Sequence, residues 1–244
     1  MKRVICGPRA VSEALRAAPA QINTLFIARS PRPPDDIIEL ARDVDVEVLR
    51  CSQEQLDALT GGLRHQGLVA VTGTFPYLDL ETLLARAATS KEPALLLALD
   101  QVQDVGNLGS LVRSAVTMGA HGLILCRHNA AGVTSAVVRT SAGATEHAAI
   151  ARVTNLAQTL AELRDRDMKV VGMDAQSTAH LAGIDLTGPS VVVLGSEGHG
   201  LRRLVRQRCD VIAAIPVPGP IGSLNVGMAG AMALYEARRQ RGSR

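Results

Sequence analysis

The stretch ALLLALDQVQDVGNLGSLVR, residues Ala94–Arg113, carries the first clear statement of the fold. Ala94–Leu99 is apolar at every position, as expected of a strand buried on both faces of a parallel sheet and not of one with a wet face. Polar residues then intervene, and Asn107 reads as the N-cap of a helix over Leu108–Met118. Arg113 would stand about one and a half turns into that helix, from where its long side chain can reach back over the strand end.

The pattern repeats downstream. Strands are expected over Gly122–Cys126, His147–Val153, Lys169–Met173, Ser190–Leu194 and Val211–Ile215. Helices are expected near Val133–Thr140, from Asn155, from Leu201 and at the C-terminal end. Such alternation predicts a mostly parallel sheet with helices on both faces, whose ligands bind beyond the carboxyl ends of the strands. Upstream, residues 1–75 read as a separate small α/β domain. It has helices over Ala10–Ala18 and from Pro33-Pro34-Asp35 to Arg42, strands over Ile22–Ala28, Val44–Leu49 and Gly67–Thr72, and a capping box at Ser52–Gln55. Residues 76–92 lack a strand signal and read as a linker, with room for a short amphipathic helix over Leu78–Ala87. The larger domain is then 93–244.

Composition narrows the class. With 47% hydrophobic and 20% charged residues the chain is globular and not disordered. Val211–Tyr235 is uncharged for twenty-five residues, long enough for a membrane span. Pro216, Pro218 and Pro220, with Gly219 and Gly222, exclude one, because the backbone groups such a loop frees have no partners in lipid. The apolar run Val4–Cys6 stops at Gly7-Pro8-Arg9 and is too short for a signal peptide, so a cytoplasmic location is expected. Cys6, Cys51, Cys126 and Cys209 are widely spaced and the six histidines lack ligand spacing, so neither a disulfide framework nor a metal site is expected. The net charge of +3 announces no partner by itself. It is unevenly spread, with nine basic and nine acidic side chains in residues 1–76 and fifteen against eleven in residues 93–244.

Three strand-end loops concentrate the remaining signal. The first is Asp100–Arg113. The second, Gly195-Ser196-Glu197-Gly198-His199-Gly200, has glycines that allow close backbone approach, yet it matches neither a dinucleotide fingerprint nor a P-loop nor a nucleophile elbow. The third runs from Ile215-Pro216 through Gly219 to Ser223-Leu224-Asn225, where Ser223 is a natural N-cap for a helix starting near Leu224. The glycines and alanines that follow suit a close helix crossing or a subunit interface.

Together the three loops resemble the three motifs of the SpoU/TrmH family of RNA ribose 2′-O-methyltransferases, in the SPOUT superfamily. The matching residues are Asp100, Asn107, Gly109 and Arg113; Gly195 to Gly200; and Ile215-Pro216, Gly219 and Ser223-Leu224-Asn225-Val226. The front part is similar to the family's ribosomal-protein-like RNA-binding domain through Gly7–Leu15 and Arg64–Ala70. The arrangement is closest to the branch that methylates a guanosine in large-subunit ribosomal RNA. Val105, Val217 and Gly227 stand where many members have proline, methionine and serine.

The resemblance implies a trefoil-knotted catalytic domain, S-adenosylmethionine as cofactor, RNA as substrate and a homodimer. It implies Gly195, Ser196, Gly198, Ile215, Val217 and Leu224 at the cofactor. Arg113, Asn107, Glu197, Ser223 and Asn225 become the catalytic set, with Arg113 either binding the adjacent phosphate and polarising the ribose oxygen, the role its chemistry favours, or acting as base, with Glu197 pairing with Arg113 and Asp100 structural. Arg202, Arg203, Arg206 and Arg208 are expected to help grip RNA. A Rossmann-type small-molecule methyltransferase would need an acidic, glycine-rich loop after Leu99, and Asp100-Gln101-Val102-Gln103 does not supply it. A transfer RNA target, or a noncatalytic RNA-binding protein on the same fold, are the other readings.

Overall fold

The computed structural model describes residues 3–30, 35–220 and 222–242. The Pro33-Pro34 opening expected for the second helix lies outside the described residues, as does Ile221. The chain divides into two units, Met1–Pro76 with Gly132–His147, and Tyr77–Ala131 with Ala148–Arg244.

In the second unit the run after Pro93 is β5 (Leu95–Asp100), wholly buried as its composition requires. Its neighbours are β6 (Gly122–Cys126), β7 (Ile150–Val153), β8 (Lys169–Met173), β9 (Ser190–Gly195) and β10 (Val211–Ala213). They form one six-stranded sheet in the order β10-β8-β9-β5-β6-β7, and all the pairings are parallel. The helices are α4 (Leu80–Ala88), α5 (Val105–Thr117), α7 (Leu156–Arg164), α8 (Arg203–Arg208) and α9 (Val226–Arg241). Residues 76–92 are not a bare linker. Leu78 bridges Ala151 beside β7, Asp79 caps α4 through the Thr82 amide at 2.7 Å, and Leu83 is wholly buried. That burial makes α4 part of the core of this unit. Among the described residues no helix is long and apolar enough to cross a membrane.

Two helix starts differ from expectation for the same reason, competition between neighbouring caps. Asp104, not Asn107, caps α5, its carboxylate accepting from the Asn107 amide at 2.7 Å. Asn225, not Ser223, caps α9, its Oδ1 accepting from the Gly227 and Met228 amides at 2.8 and 3.4 Å. The glycines of α9 serve packing within the chain. A Cβ on Gly230 would meet Leu194 Cδ1 at 2.7 Å and overlap Leu111 more severely, and one on Gly227 would lie 3.2 Å from Ser110 Cβ. They let α9 close on α5 and β9.

The first unit holds β1 (Arg3–Cys6), α1 (Pro8–Ala17), β2 (Ile22–Ala28), α2 (Asp35–Asp43), β3 (Val48–Cys51), α3 (Gln53–Thr60) and β4 (Leu68–Thr72). The sheet order is β1-β4-β2-β3, mixed in direction. The Ser52–Gln55 capping box forms as expected. β1 was not anticipated, and β3 starts later than Val44 because Asp45, at φ 56, turns the chain first. This unit also takes in α6 (Ser135–Thr140), a segment the sequence assigns to the larger domain. The reason is a buried contact 143 residues apart, in which Arg3 donates to both Glu146 carboxylate oxygens at 2.7 and 2.9 Å. Breaking a buried pair of this kind strands one charge and costs about 3–5 kcal/mol. Glu146→Gln is therefore expected to lower the free energy of unfolding, read from a urea titration, by that amount, and a loss below about 1 kcal/mol would contradict the assignment.

Candidate functional site

The site is built where β9 ends. Gly195, its last residue, pairs with Asp100 at the end of β5. The chain then folds back, the Ser196 amide donating to Gly200 O at 3.2 Å and the Gly200 amide to Ser196 O at 2.9 Å. This places the Gly200 carbonyl and the Leu201 nitrogen where a Cβ on residue 195 would stand, so only glycine fits. Past the loop, the Arg202 amide donates to Asp100 Oδ2 at 2.9 Å and its guanidinium donates to Oδ1 through Nε at 2.7 Å, with Nη2 at 2.6 Å. Both ends of the glycine loop thus converge on Asp100. That carboxylate is fully buried, and burial without such partners would be prohibitive.

The third loop leaves β10 and reaches α9. Here the Asn225 side chain works twice, capping α9 through Oδ1 and donating from Nδ2 to Asn107 Oδ1 at 2.9 Å. The hydrogen bond ties the start of α9 to the first turn of α5, and so joins the first and third loops.

Between the second and third loops, at the carboxyl ends of β8, β9 and β10, lies a cavity of about 670 Å³. Its wall includes Gly195, Ser196, Gly198, Ile215, Val217 and Leu224, together with Glu197, Ser223 and Asn225. Asn107 touches Asn225 but is not on the wall, and neither is Arg113, which is exposed on α5. The expected pairing of Arg113 with Glu197 is not formed, because among the described residues neither side chain enters an ion pair. Arg202 is held by Asp100 and Arg206 by Asp174, so of the four arginines expected to face RNA only Arg203 and Arg208 are exposed without such an ion pair.

Sequence reasoning missed the segment after β8. Met173, Asp174, Ala175 and Gln176 line the cavity, and Asp174 accepts from the Gln176 amide at 2.9 Å. That amide, and beyond it Arg206, holds the Asp174 carboxyl below the usual carboxylate range. The available signal was positional: β8 was expected at Lys169–Met173, and the residues just past a parallel strand's carboxyl end are where ligands bind.

The model of the SpoU rRNA methylase family matches residues 94–235, and that of the RNA 2′-O ribose methyltransferase substrate-binding domain matches residues 4–78. The chain belongs to the SpoU rRNA methylase family. As a SpoU/TrmH-type RNA methyltransferase it has relatives along its whole length. A protein of Mycobacterium sp. (strain KMS), named an uncharacterized tRNA/rRNA methyltransferase, is 40% identical over 244 residues, 98% of this chain and 77% of the relative. YacO of Bacillus subtilis (strain 168), assigned by name to the TrmH family of tRNA/rRNA methyltransferases, is 36% identical over 97% of this chain and 95% of its own. The crystal structure of the SpoU methyltransferase AviRb from Streptomyces viridochromogenes, in complex with AdoMet, superposes with a TM-score of 0.83 at 30% identity, covering 98% of this chain and 90% of that one. Among its described residues no group of His, Cys, Asp or Glu could hold a metal ion.

Proposed function

We propose that the protein transfers the methyl group of S-adenosylmethionine to a ribose 2′-hydroxyl of RNA, at a guanosine of large-subunit ribosomal RNA, as a cytoplasmic homodimer. The observation that carries this reading is the cavity between the second and third loops. Its volume falls within the range typical of cofactor sites, and its wall combines apolar Leu194, Ile215, Val217 and Leu224 with glycine backbone. Beside His199, its carboxylates Asp174 and Glu197 stand against the single guanidinium of Arg206, and this one excess carboxylate favours a sulfonium cation. When bound, S-adenosylmethionine supplies an electrophilic methyl group on that sulfonium.

The chain's own residues then hold and orient. Gly195, Ser196 and Gly198 offer backbone donors and acceptors, while Ile215, Val217 and Leu224 exclude water. Ser223 and Asn225 stand at the wall, where short polar side chains can position a ribose, and Asn107 fixes Asn225. The Arg113 guanidinium binds the phosphate next to the target ribose and polarises the 2′-oxygen. The 2′-hydroxyl that it helps position is what separates RNA from DNA.

The test is incubation with labelled S-adenosylmethionine and either ribosomal or transfer RNA, followed by alkaline hydrolysis. Label is expected in alkali-resistant dinucleotides of the large-subunit RNA. Label on a base would overturn the reaction, and label confined to transfer RNA would overturn the target.

The homodimer is supported by α9. Met228, Met232 and Tyr235 recur at i, i+4 and i+7 and are 58, 45 and 58% exposed. This spacing makes one apolar helix face. Each such side chain contributes about 1.5–3 kcal/mol when buried. The double variant Met228→Glu and Met232→Glu is expected to convert dimer to monomer by light scattering; an unchanged mass would exclude this face.

A further inference from the structure

We infer that the N-terminal unit grips RNA phosphates along one edge of its sheet, through Arg9, Arg29, Arg50 and Arg64. The inference rests on the RNA-methyltransferase reading and adds the surface that docks the substrate.

The strand registers bring these residues together. The Gly7 amide donates to Leu68 O at 3.0 Å, the Ala28 amide to Gly67 O at 2.8 Å and the Arg29 amide to Cys51 O at 3.0 Å. The ends of β1, β2 and β3 and the start of β4 therefore lie side by side, spanning about 15 Å at the usual strand spacing. Arg9 opens α1 just beyond β1, Arg29 follows β2, Arg50 stands one residue before the end of β3, and Arg64 precedes β4. All four are exposed, and none enters an ion pair among the described residues.

The carboxylates at this end are engaged. Asp57 accepts from His65 at 3.0 Å, Glu54 is held below the usual carboxylate range by the Ser52 hydroxyl, and Asp35 and Asp36 sit in the first turn of α2, where they offset its dipole. The opposite end of the sheet carries Asp43, Asp45 and Glu47 at the approach to β3.

The edge is also rigidly presented. The Gly67 amide donates to His65 Nδ1 at 3.2 Å, and His65 is buried. This pins a turn in which exposed Gln66 takes φ 51, a conformation uncommon outside glycine. Guanidinium groups match phosphate geometry, and phosphate contacts position RNA without reading its sequence.

The experiment measures binding of the full chain to a large-subunit ribosomal RNA fragment by fluorescence anisotropy across a salt series. Arg29→Gln with Arg64→Gln is expected to make the log–log salt slope shallower by about 1.4–1.8, which corresponds to about 15–30-fold weaker binding at 0.15 M salt. Arg9→Gln with Arg50→Gln repeats the test at the other two positions. Arg16→Gln with Arg42→Gln removes the same charge from the far ends of α1 and α2 and is expected to leave the slope unchanged. Wild-type slopes in both edge pairs, or an equal loss in the Arg16 and Arg42 pair, would overturn the inference while leaving the reaction intact. A wild-type chain that methylates no RNA would instead remove the reading beneath it.

Discussion

Replacement of Arg113 by alanine is expected to lower methyl transfer by about 100–1000-fold, the usual cost of deleting one preorganised charge-stabilising donor, while S-adenosylmethionine binding and stability stay unchanged. Arg113 is exposed on α5, enters no ion pair among the described residues, and lies off the cavity wall. The fold therefore loses no ion pair of this side chain, and a loss of rate with unchanged stability reports the reaction. Single-turnover transfer at saturating cofactor, with calorimetric titration of the cofactor, separates the two effects. Arg113→Lys keeps the charge but loses the planar fork and is expected to recover only part of the rate. Wild-type turnover in Arg113→Ala would remove the residue from the reaction, and loss of cofactor binding would make it structural.

Gly195→Ala is expected to have the opposite signature, weakening S-adenosylmethionine by about 100-fold, or about 2.7 kcal/mol, before RNA is added. The added methyl group would collide with the backbone of Gly200 and Leu201, which cannot rotate away as a side chain could. Relief requires the loop to open, and opening it pulls Arg202 from the buried Asp100 carboxylate. Gly198 supplies the contrast. It has φ 85 but open space around its Cβ position, so Gly198→Ala carries only backbone strain, of order 1–3 kcal/mol, spread over a loop that can adjust. Calorimetry of both variants, with melting curves as a folding check, tests the pair. Wild-type affinity in Gly195→Ala would show that this loop is not where the cofactor sits.

Much of this arrangement is legible in the residues. The apolar runs at Leu95–Asp100, Gly122–Cys126, Lys169–Met173 and Ser190–Gly195 are long and bounded by turn residues, so their strands lie within a residue of expectation. Asn155 was readable as a cap and accepts from the Gln158 amide at 3.2 Å. β1 was not readable, since four residues ending at a Gly-Pro carry no periodicity, and their strand exists because β4 lies beside them. α5 starts early because Asp104 and Asn107 are equivalent caps by composition, and the choice depends on where the chain leaves β5.

The sequence alone determined which segments are strands, which loops follow them and that three of those loops carry a SpoU-type motif. These are properties of neighbouring residues, set by periodicity, capping and backbone freedom. Only the tertiary structure decided what each polar side chain meets. Arg202 faces Asp100 across 102 positions, Asn225 faces Asn107 across 118, and Arg206 faces Asp174 across 32. Two arginines expected at RNA were thereby committed to loop geometry, and Asp100 became the anchor of the cavity's glycine loop. Partners so distant in the chain leave no local pattern, because a buried charge requires a counter-charge nearby in space and is indifferent to where in the chain it comes from.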